Sequence, residues 1–164
     1  MDATATYRLA GTQDVPALVR LINAAFRVEA FFKAGDRTTD TEVRALLETG
    51  QFLVIDEASD AGDVSPVACA YVEALADRTY FGMLSINPSR QARGYGRRML
   101  DAIDAHTRSS GFDRIEIHVV NLRTDLFPFY RKFGYVETGT LRFPDDGSAT
   151  RPCHFVVMIK TLGT

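Results

Sequence analysis

A chain of 164 residues with 46% hydrophobic and 24% charged side chains, 12 glycines and 6 prolines has the make-up of one globular domain over 1–164, which excludes a disordered or fibrous protein. Its 19 basic and 21 acidic residues leave a formal net charge of −2, so no global cationic field invites a nucleic-acid backbone or an anionic membrane, and neither is expected as a partner. Cys69 and Cys153 make neither a CxxC pair nor a disulfide framework, no apolar run nears the ~20 residues that span a bilayer, and no signal-peptide pattern follows Met1, so a reducing, cytoplasmic setting is expected.

The predicted elements begin with a short strand over Tyr7–Ala10. Leu18, Leu21, Ile22, Ala25 and Phe26 recur at helical spacing behind Asp14 and Pro16, marking a helix whose apolar stripe faces a sheet. Phe31, Phe32 and the polar stretch Gly35 to Thr39 break that period before a second helix over Asp40–Glu48, stopped by Gly50. Strands follow at Phe52–Asp56, Val67–Glu73 and Tyr80–Ile86; the turn Glu57–Ser65 joins the first two, and together they form an antiparallel meander.

Asn87 and Pro88 end that meander, and beyond a glycine-rich turn a helix runs to about Ser110 with Met99, Leu100, Ile103 and His106 on one face. The strand Arg114–Val120 then returns parallel to Tyr80–Ile86 by a right-handed crossover. A helix over Asp125–Lys132, a strand over Tyr135–Leu141, a polar loop over Phe143–Pro152 and a strand over His154–Lys160 complete the chain as a closing hairpin. The fold class is α/β (α+β), a mixed, mostly antiparallel sheet of about six or seven strands with a central parallel pair and about four flanking helices.

The segment Gln91-Ala92-Arg93-Gly94-Tyr95-Gly96 sits between a strand end and a helix start. Glycines there let backbone approach a ligand, and the free N–H groups of a helix's first turn attract a phosphate. Arg90, Arg93, Arg97 and Arg98 add positive charge at the same turn, although a tight turn with solvated arginines reads equally well from composition. No Lys-Ser or Lys-Thr follows the glycines, as a nucleoside-triphosphate loop requires, and Met99 stands where a dinucleotide fingerprint needs its third glycine.

This turn and the order of elements resemble the GNAT superfamily of acyl-CoA-dependent N-acetyltransferases. Gln91, Gly94 and Gly96 fill the family's Gln/Arg-x-x-Gly-x-Gly/Ala pattern, the run Leu84-Ser85-Ile86-Asn87-Pro88 precedes it as in the family, and Phe129-Tyr130-Arg131-Lys132-Phe133-Gly134-Tyr135 is similar to a second family signature. The resemblance implies that the parallel pair splays to admit acetyl-CoA as cosubstrate, without a metal. It implies that Gln91, Ala92, Arg93, Gly94, Tyr95, Gly96 and Arg97 hold the pyrophosphate, and that Leu84, Ser85 and Ile86 pair with the pantetheine arm. Asn121 then touches that arm, and Tyr130 lies at the thioester sulfur.

The implied activity is transfer of an acetyl group to a primary amine of a small molecule or peptide, with a catalytically idle acyl-CoA-binding module as the alternative and a homodimer as an allowed state. A lysine-like amine with pKa ~10.4 must lose a proton, and a phenol with pKa ~10 suits a departing thiolate, which gives Tyr130 the role of acid. Glu73, near a strand end, is the first choice for base. His118 shares a strand face with Glu116 and is read as a packing residue. For the acceptor, Phe26, Phe31 and Phe32 offer an aromatic lining or plain core packing, and Arg142 a site for a carboxylate. The three histidines have no metal-site spacing.

Overall fold

The computed structural model describes residues 6–163. The elements run β1 (Arg8–Leu9), α1 (Val15–Phe26), α2 (Asp40–Thr49), β2 (Gln51–Ala58), β3 (Val64–Ala74), β4 (Thr79–Ile86), α3 (Tyr95–Ser109), β5 (Arg114–Val120), α4 (Leu126–Lys132), β6 (Val136–Arg142) and β7 (His154–Thr161). They form a seven-stranded sheet in the order β1-β2-β3-β4-β5-β7-β6. The closing hairpin forms as expected; its second strand lies inside against β5, while β6 is the edge and is exposed along its whole length.

Local chemistry sets the helix ends. Pro16 enters α1 in its first turn, where a missing N–H costs nothing, and the Thr39 hydroxyl accepts from the Glu42 N–H at 3.2 Å to cap α2. The apolar stripe of α1, with Leu18 and Ile22 fully buried, packs with Val43 of α2 on one sheet face against Phe52, Val54, Tyr71 and Met83. On the other face, Met99, Leu100 and Ile103 of α3 and Tyr130 of α4 pack against Leu53, Phe81, Ile115 and Ile117.

The sheet divides at its middle. β4 and β5 are parallel and pair only at Thr79 with Ile115 and Tyr80 with Glu116, although both continue for several residues. Beyond those pairs they diverge, leaving the inner edge of β4 without a strand partner among the described residues. On the opposite edge, a bulge puts both Met83 and Leu84 against Ala70, and Met83 takes φ +53°. The bulge shifts the strand's phase, so Phe81 and Leu84 share the α3 face while Tyr80, Met83 and Ser85 point the other way.

Candidate active site

Through the divergence runs a cleft of about 1200 Å³ that crosses the sheet from the start of α3 to the loops around α2 and between β6 and β7. At the α3 end, the backbone is bent by two left-handed residues, Ala92 at φ +63° and Gly94 at φ +82°. An alanine held there is strained, a state that persists only where surrounding structure enforces it. Gly94 caps α3 without a side chain, so the helix's first N–H groups open toward the cleft. Gly96 is small for another reason: a Cβ there would lie 3.2 Å from the Phe129 ring of α4.

Glu57 of β2 organises the arginines beside this turn. It accepts from Arg90 at 2.7 Å and from the Tyr95 hydroxyl, and the Arg98 guanidinium stacks 5.0 Å from the Tyr95 ring centre. Arg97 also lines the cleft. Its guanidinium forms no ion pair among the described residues, so it is available to a phosphate.

At the waist of the cleft, Tyr80 of β4 faces His118 of β5 with ring centres 4.9 Å apart. Gly82 permits this placement, since a Cβ on it would meet the Tyr80 hydroxyl at 2.8 Å. His118 Nε2 lies 2.7 Å from a Glu116 oxygen, and the other Glu116 oxygen accepts from Arg78 at 3.3 Å. With Nε2 holding the proton for Glu116, Nδ1 is the basic nitrogen. Tyr130 of α4 reaches the waist from the other face; its side chain is buried, and among the described residues its hydroxyl has no hydrogen bond. Burial pushes this phenol above its ordinary range, against the pull of the nearby Arg123 cation.

The far end is bounded by Phe26, Phe31, Lys33, Arg37, Phe143 and Phe155. Glu29 lies beneath, only 7% exposed, and accepts from Arg123 at 2.9 Å, while Arg123 also grips Asp125. Burial raises the Glu29 carboxyl despite that pairing. Among the described residues, no group of three or more His, Cys, Asp or Glu side chains gathers as a metal site.

The family model for acetyltransferases of the GNAT family matches residues 15–135. The chain belongs to this family. Solved GNAT structures share its fold at low identity. The ribosomal-protein-S18-alanine N-acetyltransferase of Escherichia coli is 15% identical, with a TM-score of 0.74 over 97% of this chain and 94% of that one. The PaiA N-acetyltransferase of Thermoplasma acidophilum, in complex with coenzyme A, is 15% identical with a TM-score of 0.74 over 95% and 98%. Nourseothricin acetyltransferase is 16% identical with a TM-score of 0.70 over 96% and 98%. No curated protein sequence matches the chain significantly.

Against this GNAT fold, the residues singled out from sequence divide. Leu84, Ile86, Gln91, Ala92, Gly94, Tyr95, Gly96, Arg97, Tyr130 and Phe26 all line the cleft. Arg93 does not; it is exposed, and its charge is close enough to favour ionised Glu57. Ser85 is buried outside the cleft lining, its hydroxyl donating to the Met83 carbonyl at 2.9 Å on the face away from α3. Asn121 is occupied in joining β5 to β7, its Oδ1 accepting from the His154 N–H at 2.9 Å.

Three expectations move. Glu73 lies outside the cleft lining, where its carboxylate accepts from the Tyr71 hydroxyl at 3.2 Å. Phe32 is fully buried, and Phe31 takes the cleft position, because the turn after α1 rotates one phenylalanine inward and its neighbour outward. Arg142 sits at the exposed end of the edge strand, across from His154 and away from the cleft.

His118, read from sequence as packing, is in the waist. The alternation of Ile117, His118 and Val119 signalled its face correctly; that the face opens on a cleft depends on the strand divergence, which no local pattern encodes. Lys33, Arg37 and Glu29 were also missed, since in sequence they are ordinary charges of a polar loop.

Proposed function

We propose that the protein is an acetyl-CoA-dependent N-acetyltransferase that acts on a primary amine. One observation carries this reading: a continuous cleft joins the N–H groups at the start of α3 to a histidine–carboxylate pair and a buried phenol. The coenzyme A in the Thermoplasma relative supports the choice of acyl carrier. The site fits that carrier in two respects, the N–H groups at the start of α3 with Arg97 for a pyrophosphate, and the unpaired inner edge of β4 for an amide-bearing arm.

When bound, acetyl-CoA supplies an activated acyl group on a thiolate leaving group. The chain's residues do the rest. Nδ1 of His118 takes the proton that the acceptor amine loses, and Glu116 stabilises the resulting imidazolium through Nε2–H. Glu116 is in turn held by Arg78. The base role expected of Glu73 passes in this proposal to His118. Tyr130 gives its hydroxyl proton to the departing sulfur; with its pKa raised by burial, the phenol stays protonated throughout the neutral range.

The test is to incubate the protein with acetyl-CoA and a panel of amines, following free thiol and acetylated product together. Amine-dependent thiol release matched by product supports the enzyme. A melting-temperature rise with acetyl-CoA but no transfer to any amine would mark an idle acyl-CoA-binding module instead.

A further inference from the structure

The acceptor end of the cleft is roofed. The Thr150 N–H donates to the Phe32 carbonyl at 2.7 Å and the Ala34 N–H to the Ser148 carbonyl at 2.8 Å, with Lys33 and Ala149 bridged in antiparallel fashion between them. These bonds tie the segment between α1 and α2 to the loop between β6 and β7. The fully buried Phe32 anchors one side of the tie, and the Arg151 guanidinium over the Phe31 ring reinforces it from outside. The strap closes the cleft on this side.

The chamber's cations are unevenly paired. Arg123 is consumed by Glu29 and Asp125, whereas Lys33 forms no ion pair among the described residues and Arg37 meets Glu42 only at 3.8 Å. Asp146, the remaining acid of the lining, is engaged by the Ser148 N–H at 2.9 Å and by the Ser148 hydroxyl, although its charge reaches Lys33. Burial first and the Arg37 charge second push the Lys33 ammonium below its ordinary range, against Glu29, Glu42 and Asp146. Glu29, Glu42, Asp125 and Asp146 offset the charge of the chamber as a whole, but among the described residues no acid lies within ion-pair distance of the Lys33 ammonium and only Glu42, at 3.8 Å, lies so near Arg37, so both keep donors for a ligand carboxylate. Around them stand Phe26, 5.2 Å beneath the Arg37 guanidinium, and Phe143 and Phe155, with ring centres 5.1 Å apart.

We propose that the acceptor is a small amino carboxylate with an apolar or aromatic body, its carboxylate held by Lys33 and Arg37 beneath the strap and its amine directed to His118. This deepens the acetyltransferase reading and rests on it. The carboxylate role that the sequence suggested for Arg142 passes in this proposal to Lys33 and Arg37.

The test compares L-phenylalanine, L-leucine and L-methionine with their amides, in two assays. Calorimetric binding to the protein saturated with coenzyme A needs no turnover, and acetylation with acetyl-CoA measures kcat/KM. At least one free acid is expected to exceed its amide by about tenfold in both assays, the worth of a charge-assisted bond to a carboxylate. In Arg37→Gln and Lys33→Met, that acid-to-amide ratio should collapse toward unity through KM, with melting shifts on acetyl-CoA confirming intact folds. Amides equal to or better than the acids in binding, or ratios unchanged in both variants, would overturn the proposal. Acid-selective binding without acetylation would uphold the chamber's specificity and overturn the catalytic reading instead.

Discussion

The two ends of the cleft are built by opposite means. At the α3 end the decisive features belong to the backbone: left-handed Ala92 and Gly94, the N–H groups opening the helix, and the unpaired edge of β4. At the acceptor end they are side chains, Lys33, Arg37, Phe143 and Phe155, delivered from separate stretches of chain. A backbone site constrains which residues are tolerated and so leaves a pattern in sequence. A side-chain site leaves none, because the same lysines and phenylalanines serve in any solvated loop or core.

The largest effect should come from breaking the backbone end. Gly94→Val forces a β-branched residue to φ +82°, a conformation that costs about 1–2 kcal/mol and re-aims the first amides of α3. Acetyl-CoA at a hundredfold excess over Kd should stabilise the wild-type protein by about 2.7 kcal/mol, seen as a higher melting temperature. The variant should show no such shift; an undiminished one would move the pyrophosphate away from this turn.

Gly96→Ala should weaken the site less, through packing. Its methyl group meets Phe129 at 3.2 Å, and overpacking of this kind costs about 1–3 kcal/mol. Adding Phe129→Leu should restore the lost melting temperature. If the double variant recovers nothing, position 96 matters to the ligand rather than to α4.

The buried phenols give a pH signature. Burial raises both Tyr130 and Tyr135 above the ordinary value of 10. Above about pH 10 the unfolded chain sheds these protons while the folded one keeps them, so the unfolded state binds fewer and stability falls as pH rises. Below pH 10 this contribution is constant. Single-turnover acetylation should likewise hold up to about pH 10, without the decline that an ordinary phenol would impose. A decline beginning well below that would place the proton donor elsewhere.

The smallest effects mark what lies outside the cleft. Arg142→Ala should change kcat/KM by less than about twofold, as for a surface substitution. A thiol reagent should spare Cys69, buried and pushed up to about 12, and label Cys153 first.

The contrast between the two ends also explains what could be read in advance. Helical spacing in α1 and α3, the meander and the closing hairpin were legible because each element carries its own period and its own stop. The glycine turn before α3 was legible because Gly94 answers a φ requirement and Gly96 a close approach. The waist was not, for two physical reasons. The bulge at Met83 and the divergence after Tyr80 are tertiary facts, and they turn His118 from a covered strand residue into a cleft residue. The choice of Phe31 over Phe32 depends on a single rotation of the turn after α1, below the resolution of any hydrophobic pattern.

The most direct test of the chemistry assigned to the waist is single-turnover acetyl transfer in Tyr130→Phe and in His118→Ala, at saturating acetyl-CoA with one accepted amine. Both variants should keep the acetyl-CoA melting shift of the wild type while transfer slows by ~10²–10⁴-fold, the range of general acid–base catalysis. Transfer at the wild-type rate in both would contradict the assignment and leave the cleft a binding site without its catalysts.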